Sequence, residues 1–266
     1  HSKRGYLKLN YNHFIKIMKI AINQPTYFPW VGYFDLIDQV DTYIFYDDVQ
    51  IVKQSWGTRN RIMTSAGIQW LSVPLIQNQS HKSKYFNSTY IIENPIWKTK
   101  HFKSIKYAYS KARYYKELIF FMEELILNNK NKTLGDFNMH IIKSIANKIG
   151  INTEFISSSE LNSKNKSKDF RLVDICKELN AIIYVSPIGS SSYIETNNDE
   201  GAFLNSGIKL KYHNYLHPIY NQVFKPFSSH LSIIDLLFNE GFNNTLKIIR
   251  DGRETLLSSK DLLKHQ

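Results

Sequence analysis

A chain of 266 residues with 42% hydrophobic and 21% charged residues has the composition of a folded globular protein, with enough length for one large α/β domain or two small ones. That composition excludes a disordered tail, and a single cysteine excludes an internal disulfide. The formal charge of +11 favours acidic partners such as nucleic acid, an anionic membrane, a sugar nucleotide or an acidic carrier protein, but the lysines run from Lys3 to Lys264 without one dominant block and do not choose among them.

Residues 1–17 differ in character from the rest of the chain and read as an N-terminal extension with no assigned role. They lack the charged, apolar and cleavage-site parts of a secretory signal, so a cytoplasmic location is expected. Residues 18–266 are expected to form a single α/β domain. No apolar run approaches the ~18 residues that cross a bilayer. The best candidate, LIFFMEELIL, carries Glu123 and Glu124.

Residues 20–48 read as strand, tight loop, short helix, strand. IAI stops at Gln24-Pro25, where proline removes a ladder donor, and Pro29 constrains the same loop again. Tyr27, Phe28 and Trp30 make this an aromatic loop at the place where an open α/β sheet exposes its binding crevice. TYIFY is the second strand and ends in Asp47 and Asp48. If the two strands are parallel neighbours, Gln24 and the aspartates emerge at one sheet edge. Residues 53–63 are polar and interrupted by Gly57, which suggests a loop carrying Trp56, Arg59, Asn60 and Arg61. Arginines there can hold phosphate or carboxylate bidentately, or simply pair with Asp47 or Asp48.

Residues 69–73 form a strand candidate, and 77–88 a polar, mobile loop. After Pro95, Trp97, His101, Ile105, Ala108 and Ala112 recur at helical spacing and place His101 on the apolar face, where a lone histidine is more often a core residue than a catalyst. Helical patterning continues to Ile149, with Thr133 and Asp136 as a capping pair and Gly150 as a stop, so a helical insertion is expected over about 97–149. Residues 162–168, NSKNKSK, make a solvated loop and the best candidate for a boundary or lid. Leu172, Ile175, Cys176 and Leu179 form one helical stripe, which makes Cys176 a core residue and not a nucleophile. AIIYVS is a further strand that runs into a Gly/Ser turn, and residues 208–213 another. His213 and His217 lack the further ligands that zinc requires. Ser232 with Asp235 suggests a capping box for a helix ending near Gly241. Strands alternating with helices give the fold class: α/β, with a mainly parallel sheet of Rossmann-like character and a helical insertion.

The runs QPTYFPWVGYFDLID, FYDDVQ, SWGTRNRI, WLSVP, WKTKH, SSSEL, DICKELNA, IYNQVFKPF and LSIIDLLFNEG together resemble the WbqC-like proteins, found among bacterial O-antigen and polysaccharide genes. The resemblance covers nearly the whole chain from Met18. It implies sugar modification in surface polysaccharide synthesis, with N-acyl or aminoacyl (glycine-type) transfer onto a nucleotide-linked amino sugar as the leading activity. It keeps His101 as a candidate base and makes Tyr220 and Gln222 candidates for contact with sugar hydroxyls. Amide formation needs a base and an oxyanion donor: His101 or Asp48 for the first, Gln24 or Asn60 for the second. Tyr27, Trp30 and Trp56 would stack on base or sugar, and Asp47, Arg59 and Arg61 would complete the substrate site. Where the family commonly has Ser-Gly after the AIIYVS strand, this chain has Ser186-Pro187 and one backbone donor fewer.

Without a Ser-His or Cys-His pattern, direct attack by the amine is expected. No tightly bound cofactor and no metal are expected. An acyl or aminoacyl thioester of coenzyme A or of an acyl carrier protein is the expected co-substrate. The alternatives are a metal-assisted glycosyltransferase or nucleotidyltransferase using Asp47 and Asp48, and a sugar-nucleotide binder without turnover. No nucleic-acid partner is expected, since no recognised nucleic-acid motif is present.

Overall fold

The computed structural model describes residues 18–52, 54–76, 84–163, 168–196 and 198–262. The 1–17 extension, residues 77–83 of the polar loop and residues 164–167 of the lysine-rich run lie outside the described residues.

In chain order, β1 (Lys19–Asn23) leads through the aromatic loop to α1 (Val31–Asp38) and β2 (Thr42–Phe45). The two strands pair in parallel with Asn23 opposite Phe45, so Gln24 and the Asp47-Asp48 pair leave the sheet at the same edge. β3 (Arg59–Thr64) and β4 (Gly67–Ser72) then form a separate antiparallel hairpin. Much of the segment read as a loop is therefore strand. Asn60 and Ile62 point inward while Arg59, Arg61 and Met63 lie on the wetter face, and the polar Asn60 at an inward position hides the alternation.

Three helices follow, α2 (Ile96–Ala108), α3 (Tyr115–Ile126) and α4 (Leu134–Lys148), before the chain re-enters the main sheet at β5 (Glu154–Ser157). α5 (Lys168–Glu178), β6 (Ile183–Pro187), α6 (Ser191–Ile194), β7 (Lys209–His213), α7 (Ile233–Asp251) and α8 (Ser259–Leu262) complete the described chain. The Thr133 hydroxyl accepts the Asp136 N–H at 3.1 Å as the N-cap of α4.

The main sheet has the order β5-β2-β1-β6-β7, parallel throughout. The chain builds outward from β1 through β2 to β5, then returns to the other side of β1 at β6. That reversal creates a topological switch point, and the crevice beyond the carboxyl ends of such strands is where open α/β sheets bind ligands. Side chains divide by the two-residue period of the strands: Ile20, Ile22 and Ile44 pack with Leu172, Ile175 and Cys176 of α5, whereas Ala21, Tyr43 and Phe45 face the core built with α1, α4 and α7. Burial also pushes the Cys176 thiol up, so it stays protonated and inert. α1 is tied down by its buried Asp35, whose two oxygens contact His213 Nε2 and Arg253 Nε, each at 2.8 Å.

α7 departs from the expected helix in two ways. Ser232 caps it by accepting the Ile234 N–H, but Asp235 does not close a capping box. Its carboxylate is buried and accepts hydrogen bonds from Tyr109 Oη (3.0 Å), Tyr220 Oη (2.9 Å) and Gln222 Nε2 (2.8 Å). The chain also does not stop at Gly241; it kinks there at φ 73° and resumes helix to Asp251. The Tyr114 ring lies 2.6 Å from where a Cβ on that residue would sit, so the kink seats α3 against α7. Burial raises the Asp235 pKa while the three donors pull it down. Asp235→Ala would leave three buried donors without an acceptor and is expected to cost about 3 kcal/mol or more, read by urea denaturation. A loss below ~1 kcal/mol would mean that water or rearrangement satisfies them.

Candidate functional site

The loop at residues 24–30 is held at almost every residue. Tyr33 Oη donates to the Gln24 carbonyl at 2.8 Å. Asn138 of α4 donates through Nδ2 to the carbonyls of Pro25 (3.0 Å) and Gly57 (2.8 Å), which joins the two loops flanking the site. Asn60 Nδ2 likewise donates to the carbonyls of Tyr27 (3.1 Å) and Phe28 (2.8 Å). The Tyr27 N–H reaches the Trp56 carbonyl and the Pro29 carbonyl accepts from the Ile233 N–H, both at 2.9 Å. These bonds hold Phe28 at φ 41°, a left-handed conformation that costs a non-glycine residue free energy.

Between the two loops lies a cavity of about 350 Å³ just beyond the end of β1, lined by Gln24, Thr26, Trp30, Ser55, Trp56 and His230, with Asn23, Tyr33 and Asn60 behind. Trp30 forms one wall. Its indole lies over Gly32, where a Cβ would meet the ring at 2.4 Å, and it stacks on His230 (ring centroids 4.9 Å) and His217 (6.1 Å). Trp56, half exposed, forms the other wall. The Arg61 guanidinium lies 5.8 Å from the Trp56 ring, and Arg61 Nε donates to the His230 carbonyl. The buried Ser55 hydroxyl has no hydrogen-bond partner, which costs about 1–3 kcal/mol unless a ligand or water supplies one. Among the described residues no carboxylate lines this cavity. The lining group that titrates closest to neutral pH is His230, and partial burial and the Arg61 charge hold that ring below the usual histidine pKa, so it is neutral at pH 7.

The structure thus brings together Gln24, Trp30, Trp56 and Asn60 around the cavity, with Arg61 outside its lining but beside Trp56 and the His230 carbonyl. Asn60 is committed to two loop carbonyls, and its Oδ1 accepts the Arg61 N–H, so the amide builds the site and has no N–H left for an oxyanion. Tyr27 is fully buried beneath the loop, with its hydroxyl 2.9 Å from His101 Nδ1. His101 faces the Ser72 carbonyl on its other side, packs edge-on against Trp97 and does not line the cavity. Asp47 and Asp48 lie at the predicted sheet edge but serve the chain after β5. Asp47 accepts from the Ser158 hydroxyl and from both the N–H and hydroxyl of Ser159, and Asp48 pairs with Arg171. Tyr220 and Gln222 are spent on Asp235. Arg59 turns to the other face of the hairpin, 4.4 Å over the Trp70 ring.

Sequence reasoning missed His230 and Asn138. His230 sits at φ 57° two residues before the α7 cap, and its only local signal is the SSH run beside that cap. Asn138 is a polar residue at a fully buried position on α4, visible as a break in that helix's apolar stripe.

A model of the WbqC-like protein family matches residues 24–247, beginning at the first residue of the cavity loop. "Uncharacterized protein Rv1507c" of Mycobacterium tuberculosis (strain ATCC 25618 / H37Rv) is 34% identical over 224 residues, which span 84% of this chain and 94% of that protein. No solved structure matches the chain.

His101 is expected to make the fold sensitive to acid. Burial lowers its pKa from 6.5 to about 4, so below pH 6.5 the unfolded chain binds a proton that the folded chain refuses. The neutral ring's advantage is complete above pH 6.5 and falls away as pH drops towards 4, by about 3 kcal/mol in total. Denaturant melts between pH 7 and 4 are expected to show that slope, and His101→Leu to flatten it. An unchanged slope in the variant would assign the acid sensitivity to other groups.

Proposed function

The chain belongs to the WbqC-like protein family, and on that premise we propose that it is a biosynthetic transferase that places an acyl or aminoacyl group on the amine of a nucleotide-linked amino sugar used for surface polysaccharide. The observation that carries this reading is the cavity itself: two indole walls, neutral amide and hydroxyl groups, no carboxylate among the described residues and one neutral histidine. Indole faces pack against the apolar face of a pyranose ring, and neutral amides and hydroxyls match its hydroxyl groups. Arg61, beside Trp56 and the His230 carbonyl, suits a phosphate leading out of the cavity.

In this reading the sugar amine attacks the carbonyl carbon of a thioester, carried by coenzyme A or an acyl carrier protein. The C–N bond forms, the C–S bond breaks, and His230 takes the amine proton and returns it to the departing thiolate. Gln24 lines the cavity and offers its side-chain N–H groups to the developing oxyanion. His230 replaces His101 and Asp48 as the base, because His101 is enclosed between Tyr27 and Ser72 and Asp48 is paired with Arg171. The metal-assisted alternative loses support for a related reason, since both carboxylates it would use already hold Ser158, Ser159 and Arg171.

Mass spectrometry of nucleotide-linked amino sugars incubated with the protein and a mixture of thioester donors tests the reaction. A donor-dependent mass increase on one sugar is expected. His230→Gln is expected to slow turnover by ~10²-fold or more with ligand affinity kept, while Trp30→Ala weakens binding itself. The wild-type rate is expected to rise with pH through a midpoint below 6.5, the sign set by the lowered pKa of His230. Calorimetric binding of a sugar nucleotide with no mass change under any donor would leave a binder and sink the transferase.

A further inference from the structure

Neighbouring residues of β3 point to opposite faces, so Asn60 turns towards the loop at residues 24–30 while Arg59 and Arg61 share the opposite, wetter face, Arg59 over Trp70 and Arg61 near Trp56. On that other side lies a second hollow of about 530 Å³, lined by Gln54, Thr58, Arg59, Ser72 and Lys84, with Ile51, Val73 and Leu75 as its apolar wall. Among the described residues it holds two cations and no carboxylate, and neither Arg59 nor Lys84 forms an ion pair. Arg59 is also fixed in place: its guanidinium lies 4.4 Å over the Trp70 ring, and its Nε is buried with no hydrogen-bond partner. A pre-positioned guanidinium with an unmet donor, beside a lysine, suits charge-assisted hydrogen bonds to a phosphoryl oxygen. Two cations in one hollow repel each other until an anion enters.

The two cavities are joined by aromatic surface. Trp56 walls the first, Trp70 carries Arg59 at the second, and their ring centroids are 5.6 Å apart. We infer that the Arg59 hollow is a phosphoryl-binding subsite that takes the phosphate end of a co-substrate whose reactive end lies in the first cavity. The co-substrate part of this inference rests on the transferase reading; the anion site does not. Two compounds carry that chemistry in the proposed reaction: the diphosphate of the sugar nucleotide and the phosphates of a coenzyme A thioester.

Titration calorimetry on the full chain with pyrophosphate as the probe, followed by competition with UDP and with coenzyme A, tests the inference. Pyrophosphate is expected to bind, and Arg59→Gln and Lys84→Gln each to weaken it by roughly tenfold or more, in line with loss of one charge-assisted contact. Arg59→Lys is expected to recover only part of the affinity, since a lysine cannot reproduce the fork. Displacement by UDP assigns the subsite to the acceptor, and displacement by coenzyme A to the donor. Equal pyrophosphate affinity in wild type, Arg59→Gln and Lys84→Gln overturns the site, and displacement by neither compound overturns its role for a co-substrate. Lys84→Gln, at a partly exposed side chain, keeps the test decisive if Arg59→Gln fails to fold. Pyrophosphate carries neither sugar nor acyl group, so this result stands apart from the fate of the transferase reading.

Discussion

Two asparagine side chains hold the candidate site in shape. A loop with prolines at two of its seven positions and a left-handed Phe28 cannot join a sheet ladder or a helix, yet its carbonyls are buried and need donors. Asn60 from the hairpin and Asn138 from α4 supply them, each through one amide nitrogen spanning two carbonyls. Because Asn138 also reaches Gly57, the same contacts set the gap between the Trp30 and Trp56 walls. The hairpin and the inserted helices thus act as a brace for a loop that the parallel sheet alone would leave unsupported.

The rest of the molecule is arranged around that brace. The parallel order β5-β2-β1-β6-β7 puts the end of β1 at the switch point, where the loop emerges. Asp35, with His213 and Arg253, fixes the helix after the loop, and Asp235 gathers Tyr109, Tyr220 and Gln222 beneath α7, the helix whose first N–H groups include the one that meets Pro29. Several polar residues that look like substrate contacts in one dimension are therefore internal struts. The polar and aromatic residues that line the first cavity are few and neutral, Gln24, Ser55, Trp30, Trp56 and His230 among them, while Arg59 and Lys84 line the second hollow.

This division has a physical origin. A carboxylate or a histidine among apolar neighbours is costly unless its hydrogen bonds are met, so buried polar residues in a working fold find partners inside the protein. His101 with Tyr27, Asp47 with Ser158 and Ser159, and Asp235 with its three donors all obey that rule. Other buried polar atoms are left unmet, among them Ser55 Oγ at the first cavity and Arg59 Nε at the second hollow.

Elements with local signals are legible in the amino-acid sequence. Apolar runs ended by Pro25, the TYIFY strand, the cap at Thr133 and the stripe through Cys176 all depend on neighbours a few residues away, and with them came the α/β class and the aromatic loop at its crevice. Which of the polar residues line the cavity depends instead on contacts between distant parts of the chain. His230 joins Trp30 across some 200 positions of chain, and Asn138 joins Pro25 across 113, separations at which no periodicity survives. The strand at Arg59 was hidden for the same reason: Asn60 is polar yet turned inward, because the carbonyls that it serves belong to a loop more than 30 residues earlier.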